Sequence, residues 1–99
     1  MNDPTMLTRS AYPRIASLYR FQWEAAQNAY VLLFPEGMVQ LNVAAGEILR
    51  RCDGRRSADQ IIAELREAFQ SDAIDADVEA FLSSATHDGW VEWRDAVTS

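Results

Sequence analysis

The stretch AYVLLFPEGMVQL, residues 29–41, decides the fold, because it joins two apolar segments through a tight turn. Residues 29–34 are apolar at every position, which is typical of a central strand covered on both faces. In Pro35-Glu36-Gly37 the proline presets its φ angle, and the glycine tolerates a positive one, so a tight turn is predicted. Met38 to Leu41 should therefore return antiparallel as a third strand.

Upstream of this stretch, the residues from Leu18 to Glu24 alternate in character. Tyr19, Phe21 and Trp23 fall on one side, which predicts a half-buried strand. The three strands would form an antiparallel meander with Met38 to Leu41 at one edge. Residues 1–12 are polar and unpatterned, so we expect a flexible N-terminal tail, a single domain over 13–94 and a C-terminal tail over 95–99.

Downstream, cap residues divide the chain into helices. Asn42 is a good N-cap, Gly54 is the predicted left-handed stop of the first helix, and Gly89 is that of the third. Ser57 opens a capping box with Gln60. Three helices are predicted, at about 43–52, 58–70 and 76–88.

The order of these elements predicts an α+β fold, a three-stranded antiparallel sheet followed by three helices that cover one face, in a winged-helix-like arrangement. Apolar residues of the second helix form one stripe that includes Ala68 and Phe69. The segment from Trp90 to Arg94 alternates, which predicts a short terminal strand or an extended segment over the core.

Composition limits the possible functions. The nine basic residues are all arginine, and fifteen acids give a net charge of −6, which repels the phosphates of nucleic acids. Residues 71–88, which contain the third helix, carry five acids and no arginine, so a DNA-reading helix is not expected there. No apolar run reaches the roughly 20 residues of a membrane-spanning helix, and we expect a cytoplasmic protein.

Residues for catalysis are scarce. The single cysteine and the single histidine, Cys52 and His87, do not make a metal site, and no phosphate-binding loop or nucleophile motif is present. Cys52 lies on the apolar stripe of the first helix, where a free cysteine usually behaves as a small buried hydrophobic residue. The sequence therefore predicts neither an enzyme nor a cofactor or metal site.

A basic cluster is formed by Arg50, Arg51, Arg55 and Arg56. These arginines either neutralise the end of the first helix and remain solvated, or anchor acidic groups of a partner, since guanidinium forks match carboxylates. The sequence leaves both interpretations open.

The third strand is the other candidate site. It has no lysine or proline to protect an edge, so an extended peptide could add to it by main-chain hydrogen bonding. Proline in place of Val39 or Leu41 would be the natural test.

Motifs along the chain resemble the pyrroloquinoline quinone biosynthesis protein D family, PqqD. The most specific are VLLFPEGMV at 31–39 and CDGR at 52–55, and the similarity runs from Pro13 to Val91. The resemblance implies a peptide chaperone without catalytic activity, which binds the precursor peptide PqqA and presents it to the radical S-adenosylmethionine enzyme PqqE.

In related recognition domains the peptide lies as an added strand against the third strand, beside the third helix. The resemblance therefore implies a peptide site on those two elements. The residues concerned are Met38, Val39, Gln40, Leu41, Val78, Phe81, Leu82 and Ala85. Whether the four helical residues are instead wholly core stays open, because their stripe must also cover the sheet. The rival function is a small structural domain that self-associates, either through the edge strand or by strand exchange; the chain could be a monomer or such a dimer.

Overall fold

The computed structural model describes residues 9–94, which form five strands and three helices. Strands β2, β3 and β4 make a three-stranded antiparallel sheet with β3 at its centre, and β1 pairs antiparallel with β5 in a second, two-stranded sheet. In chain order the elements are β1 (Tyr12–Ile15), β2 (Arg20–Glu24), β3 (Ala29–Phe34), β4 (Gly37–Gln40), α1 (Val43–Arg50), α2 (Ala58–Phe69), α3 (Asp75–His87) and β5 (Val91–Arg94).

The three-stranded sheet confirms the predicted meander. Val31 and Leu32 point to opposite faces of β3 and are both fully buried, in agreement with a run that is apolar on both faces. The turn is shorter than expected, because Gly37 already pairs with Phe34 as the first residue of β4 and its φ is not positive. The positive φ of this sheet belongs to Asn28, at 54°, in the turn between β2 and β3.

Three of the helix ends follow the predicted caps. The amide of Ala45 donates to the Asn42 side chain at 2.8 Å. Ser57 and Gln60 exchange two hydrogen bonds, as a capping box requires. After α3, Gly89 adopts a φ of 82°, and the amides of Gly89 and Trp90 donate to the carbonyls of Thr86 and Ala85 in the last turn, as in a Schellman motif. Local sequence therefore determines three of the helix ends, the starts of α1 and α2 and the end of α3.

The end of α1 differs from the prediction. The helix stops at Arg50 rather than near Cys52, and Gly54 does not cap it. Gly54 does have a positive φ, at 78°, but its amide donates to the carbonyl of Pro13 at 2.9 Å. This glycine belongs to a turn that holds β1, because Arg14 also forms a bridge with Asp53.

The packed domain begins before Pro13. Ala11 is only 4% exposed, and its carbonyl accepts a hydrogen bond from the amide of Ala58 at 3.0 Å. The carbonyl of Arg9 accepts from the amide of Asp59 at 2.8 Å. Residues 9–12 are thus attached to the start of α2 rather than part of a tail. Residues 1–8 and 95–99 lie outside the described residues.

The core lies between the helices and one face of the sheet. Ile48 and Leu49 of α1, Ile61 and Leu65 of α2, and Leu82 of α3 belong to it. Gly46 lets α1 approach β3 closely, because a Cβ there would come within 2.8 Å of the Tyr30 ring. The predicted stripe of α2 is buried only as far as Leu65, since Ala68 and Phe69 are exposed. No helix within residues 9–94 is long and apolar enough to cross a membrane.

Candidate functional site

β4 is an edge strand with one free side. Among residues 9–94 it pairs only with β3, in a register that places Val39 opposite Leu32. One residue beyond the strand, the amide of Leu41 donates to the carbonyl of Tyr30 at 3.0 Å. In an antiparallel ladder, hydrogen-bonded pairs alternate with pairs whose backbone groups point away from each other. Because Tyr30 and Leu41 are opposite and bonded, Leu32 and Val39 are also a hydrogen-bonded pair.

The backbone groups that face outward therefore belong to Met38 and Gln40. Each presents an amide and a carbonyl on the side of β4 that no other described strand occupies. Proline at Val39 or Leu41, the test suggested by the sequence, would instead remove an amide that holds the domain's own sheet together. The sequence identified the strand, but the register was needed to identify the available groups.

The side chains of β4 divide in the same alternating way. Val39 is partly buried and packs against the core, and Leu41 is buried within it. Met38, which is 43% exposed, and Gln40 lie on the other face. The strand carries no charged residue, so none of the usual electrostatic protection against an added strand is present.

An apolar cleft of about 320 Å³ lies where β4 ends. Asn42, two residues after β4, is part of its wall, and the other lining residues come from the three helices and from Ile74 just before α3. Phe69 at the end of α2 is 41% exposed, although it lines this cleft. The full lining is Asn42, Ala44, Ala45, Ile48, Leu65, Phe69, Ile74, Asp77, Val78 and Phe81. Such a cleft can receive apolar side chains.

The four predicted residues of α3 do not have equal access. Phe81 is partly exposed and lines the cleft, whereas Val78 lines it from a nearly buried position. Leu82 and Ala85 are buried in the core and do not line this cleft. The apolar stripe of α3 is therefore not wholly core, because two of its four residues also form part of the cleft wall.

Several residues that line the apolar cleft were not predicted from the sequence. Ala44 and Ile48 of α1, Phe69 of α2 and Ile74 just before α3 line the cleft, and these three segments are far apart in sequence. The one available signal was Phe69, an apolar residue at the very end of the α2 stripe, where less of the core remains to cover it.

The basic cluster is largely committed to internal ion pairs. Arg51 is only 9% exposed and donates to the Glu47 carboxylate at 2.7 Å and to Glu64 at 3.0 Å. Arg56 donates to the other Glu64 oxygen at 2.9 Å and to Asp53 at 2.9 Å. These two arginines therefore join α1, α2 and the turn between them.

The other two arginines of the cluster are freer. Arg50 is exposed, with its guanidinium 3.5 Å from Glu47. Arg55 is exposed, and its side chain forms no ion pair within residues 9–94. Partial burial would raise the pKa of the neighbouring Asp53, but hydrogen bonds from the amides of Arg55 and Arg56 and the charge of Arg56 leave it below its ordinary value. The predicted cluster is thus not one surface.

Cys52 is buried, and its thiol donates to the carbonyl of Ile48 at 3.4 Å. Burial, with a smaller contribution from the charge of Asp53, raises the pKa of Cys52 to about 12. Because the thiolate is the reactive form, this side chain is not suited to nucleophilic chemistry at neutral pH. Within the described part of the chain, no three metal-ligating side chains come together.

The chain is similar to known proteins over most of its length. The family model described as Coenzyme PQQ synthesis protein D (PqqD) matches residues 29–91. A PqqA binding protein of Azotobacter vinelandii is 50% identical over 86 residues, which cover 86% of this chain and 94% of that protein. A PqqA binding protein of Pseudomonas aeruginosa is 51% identical over 81 residues, which cover 81% and 88% of the two chains.

A solved structure shares the fold. The solution structure of the PqqD truncation of Methylobacterium extorquens PqqCD, described as a functional, stand-alone recognition element for ribosomally synthesised and post-translationally modified peptides, superposes with a TM-score of 0.73. Its sequence is 29% identical, and the match covers 92% of this chain and 99% of that one.

Proposed function

The chain belongs to the PqqD family, and we propose that it binds the peptide PqqA as an added strand along the free edge of β4. The observation that carries this proposal is the orientation of Met38 and Gln40, whose amides and carbonyls point away from the domain's own sheet. An extended peptide can complete this ladder without any change in the fold. The names of the relatives, PqqA binding proteins, support PqqA as the guest.

The free edge is short, which makes the neighbouring cleft necessary. Two outward residues offer four main-chain hydrogen bonds, and at about 0.5–1.5 kcal/mol each these contribute about 6 kcal/mol at most. Loss of translational and rotational freedom on association costs about 4 kcal/mol or more. The edge alone therefore binds weakly, whatever the guest.

The apolar cleft supplies the remaining affinity and the sequence preference. Burial of one large apolar side chain contributes about 1.5–3 kcal/mol. Asn42, two residues after β4, lines this cleft together with Phe69 and Phe81, so we expect a guest that pairs with β4 and continues past Gln40 to approach it. We expect PqqA to place apolar side chains there, so that main-chain bonds give orientation and the cleft gives specificity.

We also propose that this chain has no catalytic activity of its own and presents PqqA to the radical S-adenosylmethionine enzyme PqqE in the cytoplasm. The resemblance to the PqqD family supports PqqE as the receiving enzyme. The inert environment of Cys52 supports a binding role rather than a catalytic one.

The proposal is tested by titration of labelled PqqA into the full chain and into Gln40→Pro. Proline removes an outward amide but no bond to β3, and the exposed side chain contributes little to packing, so the sheet should be retained. Calorimetry should show affinity at least about tenfold weaker, which corresponds to 1.4 kcal/mol. Gln40→Ala, which keeps the amide, should bind within about twofold of the parent chain.

Unchanged PqqA affinity in Gln40→Pro, with a native circular dichroism spectrum, would overturn the edge-strand site. If that variant does not fold, Met38→Pro removes the other outward amide and gives an independent reading. Addition of PqqE to the parent titration tests presentation. A ternary complex in gel filtration is the expected result, and displacement of PqqA by PqqE would contradict it.

Self-association is the second candidate function, favoured by the same unprotected edge. Two β4 strands from separate copies could pair with each other, which would hide Met38 and Gln40. Light scattering over a range of concentrations distinguishes the two. A monomer that PqqA saturates supports the adaptor, whereas a stable dimer that excludes PqqA supports self-association.

A further inference from the structure

A second cleft, of about 430 Å³, lies on the two-stranded sheet and differs in chemistry from the apolar one. It shares no lining residue with the apolar cleft or with β4. Its lining, here called the arginine cleft, is Arg14, Asp53, Gly54, Arg55, Glu92, Trp93 and Arg94. Three arginines from β1, β5 and the turn after α1 therefore meet in one concave surface.

The carboxylates of the arginine cleft are already occupied. Asp53 accepts bonds from the amides of Arg55 and Arg56 with one oxygen and from the Arg56 guanidinium with the other. Glu92 accepts two hydrogen bonds from Arg14, at 3.0 and 3.2 Å, through a single oxygen. The guanidinium charges of Arg55 and Arg94 have no carboxylate partner among residues 9–94.

Arg94 is nevertheless held in position. It donates to the carbonyl of Gly54 at 2.9 Å, and its guanidinium carbon lies 5.6 Å from the centre of the Tyr12 ring. Gly54, which also lines the cleft, is held in place as well, because its amide donates to the carbonyl of Pro13 at 2.9 Å. A cation that is positioned before binding loses little conformational freedom when a ligand arrives.

We propose that the arginine cleft binds carboxylate groups of an acidic segment in a partner protein. Guanidinium groups suit this ligand because their planar forks form paired hydrogen bonds with carboxylates. The bulk charge of −6 repels polyanions such as nucleic acids, so a local positive site favours a short acidic segment over a phosphate backbone.

This site goes beyond the peptide edge and does not depend on it. The two surfaces share no residue, so we expect PqqA on β4 to leave the arginine cleft open and one domain to hold a guest peptide and an acidic partner together. The set of arginines in this cleft also differs from the predicted basic cluster. Of its four members only Arg55 lines the cleft, where Arg14 and Arg94 join it from the two ends of the chain.

The test uses a synthetic peptide of alternating glutamate and glycine, and the same peptide with glutamine in place of glutamate. In nuclear magnetic resonance titrations of the full chain, the glutamate peptide should shift the amide signals around Arg55 and Arg94, and the glutamine peptide should not. The double variant Arg55→Gln and Arg94→Gln should weaken glutamate-peptide binding at least about tenfold.

Arg20→Gln is the matched control, since Arg20 is an exposed arginine of β2 that lies outside the cleft. It should leave the affinity within about twofold. Arg55→Gln alone is the second variant, for use if loss of Arg94 disturbs the sheet. The Arg55 side chain makes no ion pair among residues 9–94, so its removal should not affect folding. This single variant should weaken glutamate-peptide binding about threefold.

Three results would overturn the proposal: equal weakening by Arg20→Gln, equal binding of the glutamine peptide, or tighter binding of a single-stranded oligonucleotide than of the glutamate peptide. Gln40→Pro separates the two sites. It should retain glutamate-peptide binding even though it loses PqqA, and loss of both would contradict an independent cleft.

Discussion

The three-stranded sheet has two free edges, and they are not equivalent. β2 and β4 each pair only with β3 among the described residues. Because β3 bonds to β4 through Tyr30, Leu32 and Phe34, alternation directs its intervening residues to β2. The outward backbone groups of β2 therefore belong to Phe21 and Trp23, just as those of β4 belong to Met38 and Gln40.

What differs is the surroundings of each edge. β2 begins with Arg20 and ends with Glu24, and charges on an edge discourage an added strand. Trp23 lies edge-on against Tyr30 at 5.0 Å. β4 has no charge, and Asn42, two residues after it, lines the apolar cleft, whereas neither β2 nor the segments that flank it contribute a residue to either cleft. An unpaired backbone alone does not make a binding site; the absence of protecting charges and the presence of a neighbouring cleft distinguish one edge from the other.

The largest effect should come from the strand that both edges share. Leu32→Ala removes a fully buried side chain from the middle of β3 and leaves a cavity, so the free energy of unfolding should fall by about 2–5 kcal/mol. Urea denaturation measures this loss. Met38→Ala, on the exposed edge, should change stability by less than about 0.5 kcal/mol. Comparable losses in the two variants would contradict the assigned burial.

A lysine introduced on each edge strand in turn should show more directly which of the two edges binds PqqA. Met38→Lys should weaken PqqA binding about fivefold, a cost of about 1 kcal/mol, because a lysine at an edge opposes strand addition. Trp23→Lys introduces the same side chain on the other edge, at a position that is 51% exposed, and should leave affinity within about twofold. If the two lysines act alike in calorimetry, PqqA does not distinguish the edges.

The smallest expected effect is on the pH dependence of stability, and it involves Asp75, which belongs to neither edge strand. A hydrogen bond from Arg66 lowers the pKa of Asp75 below its ordinary value of 3.8, with further help from Arg9. A lowered folded pKa adds stability above the unfolded value, and that stability is lost as the pH falls from about 3.8 through the folded pKa.

The parent chain should accordingly lose more stability than Asp75→Asn between pH 5 and pH 3, in urea titrations at each pH. β4 carries no titratable side chain, so the contribution of this edge to PqqA binding should not change with pH where the protein stays folded. Parallel pH profiles for the parent chain and Asp75→Asn would contradict the role of this ion pair.

Much of the fold was predictable because its signals are local. The Asn42 cap, the capping box at Ser57, the Gly89 stop and the hairpin before Met38 each depend on residues a few positions apart. β1 was not predicted, because this four-residue strand contains a proline and its partner strand, β5, lies at the far end of the described chain, where Tyr12 faces Arg94. Nothing in its own sequence distinguishes it from a loop.

The candidate site was predictable to the level of the element but not of the atom. The sequence by itself determined the order of elements from β2 to α3, the uncharged character of β4 and the apolar stripe of α3, since these depend on residue type and spacing. Only the tertiary structure decided which amides of β4 face outward, that Phe69 and Phe81 share a cleft, and that Arg55 joins Arg94. Hydrogen-bond register and burial arise from contacts between segments distant in sequence, and no local pattern encodes them.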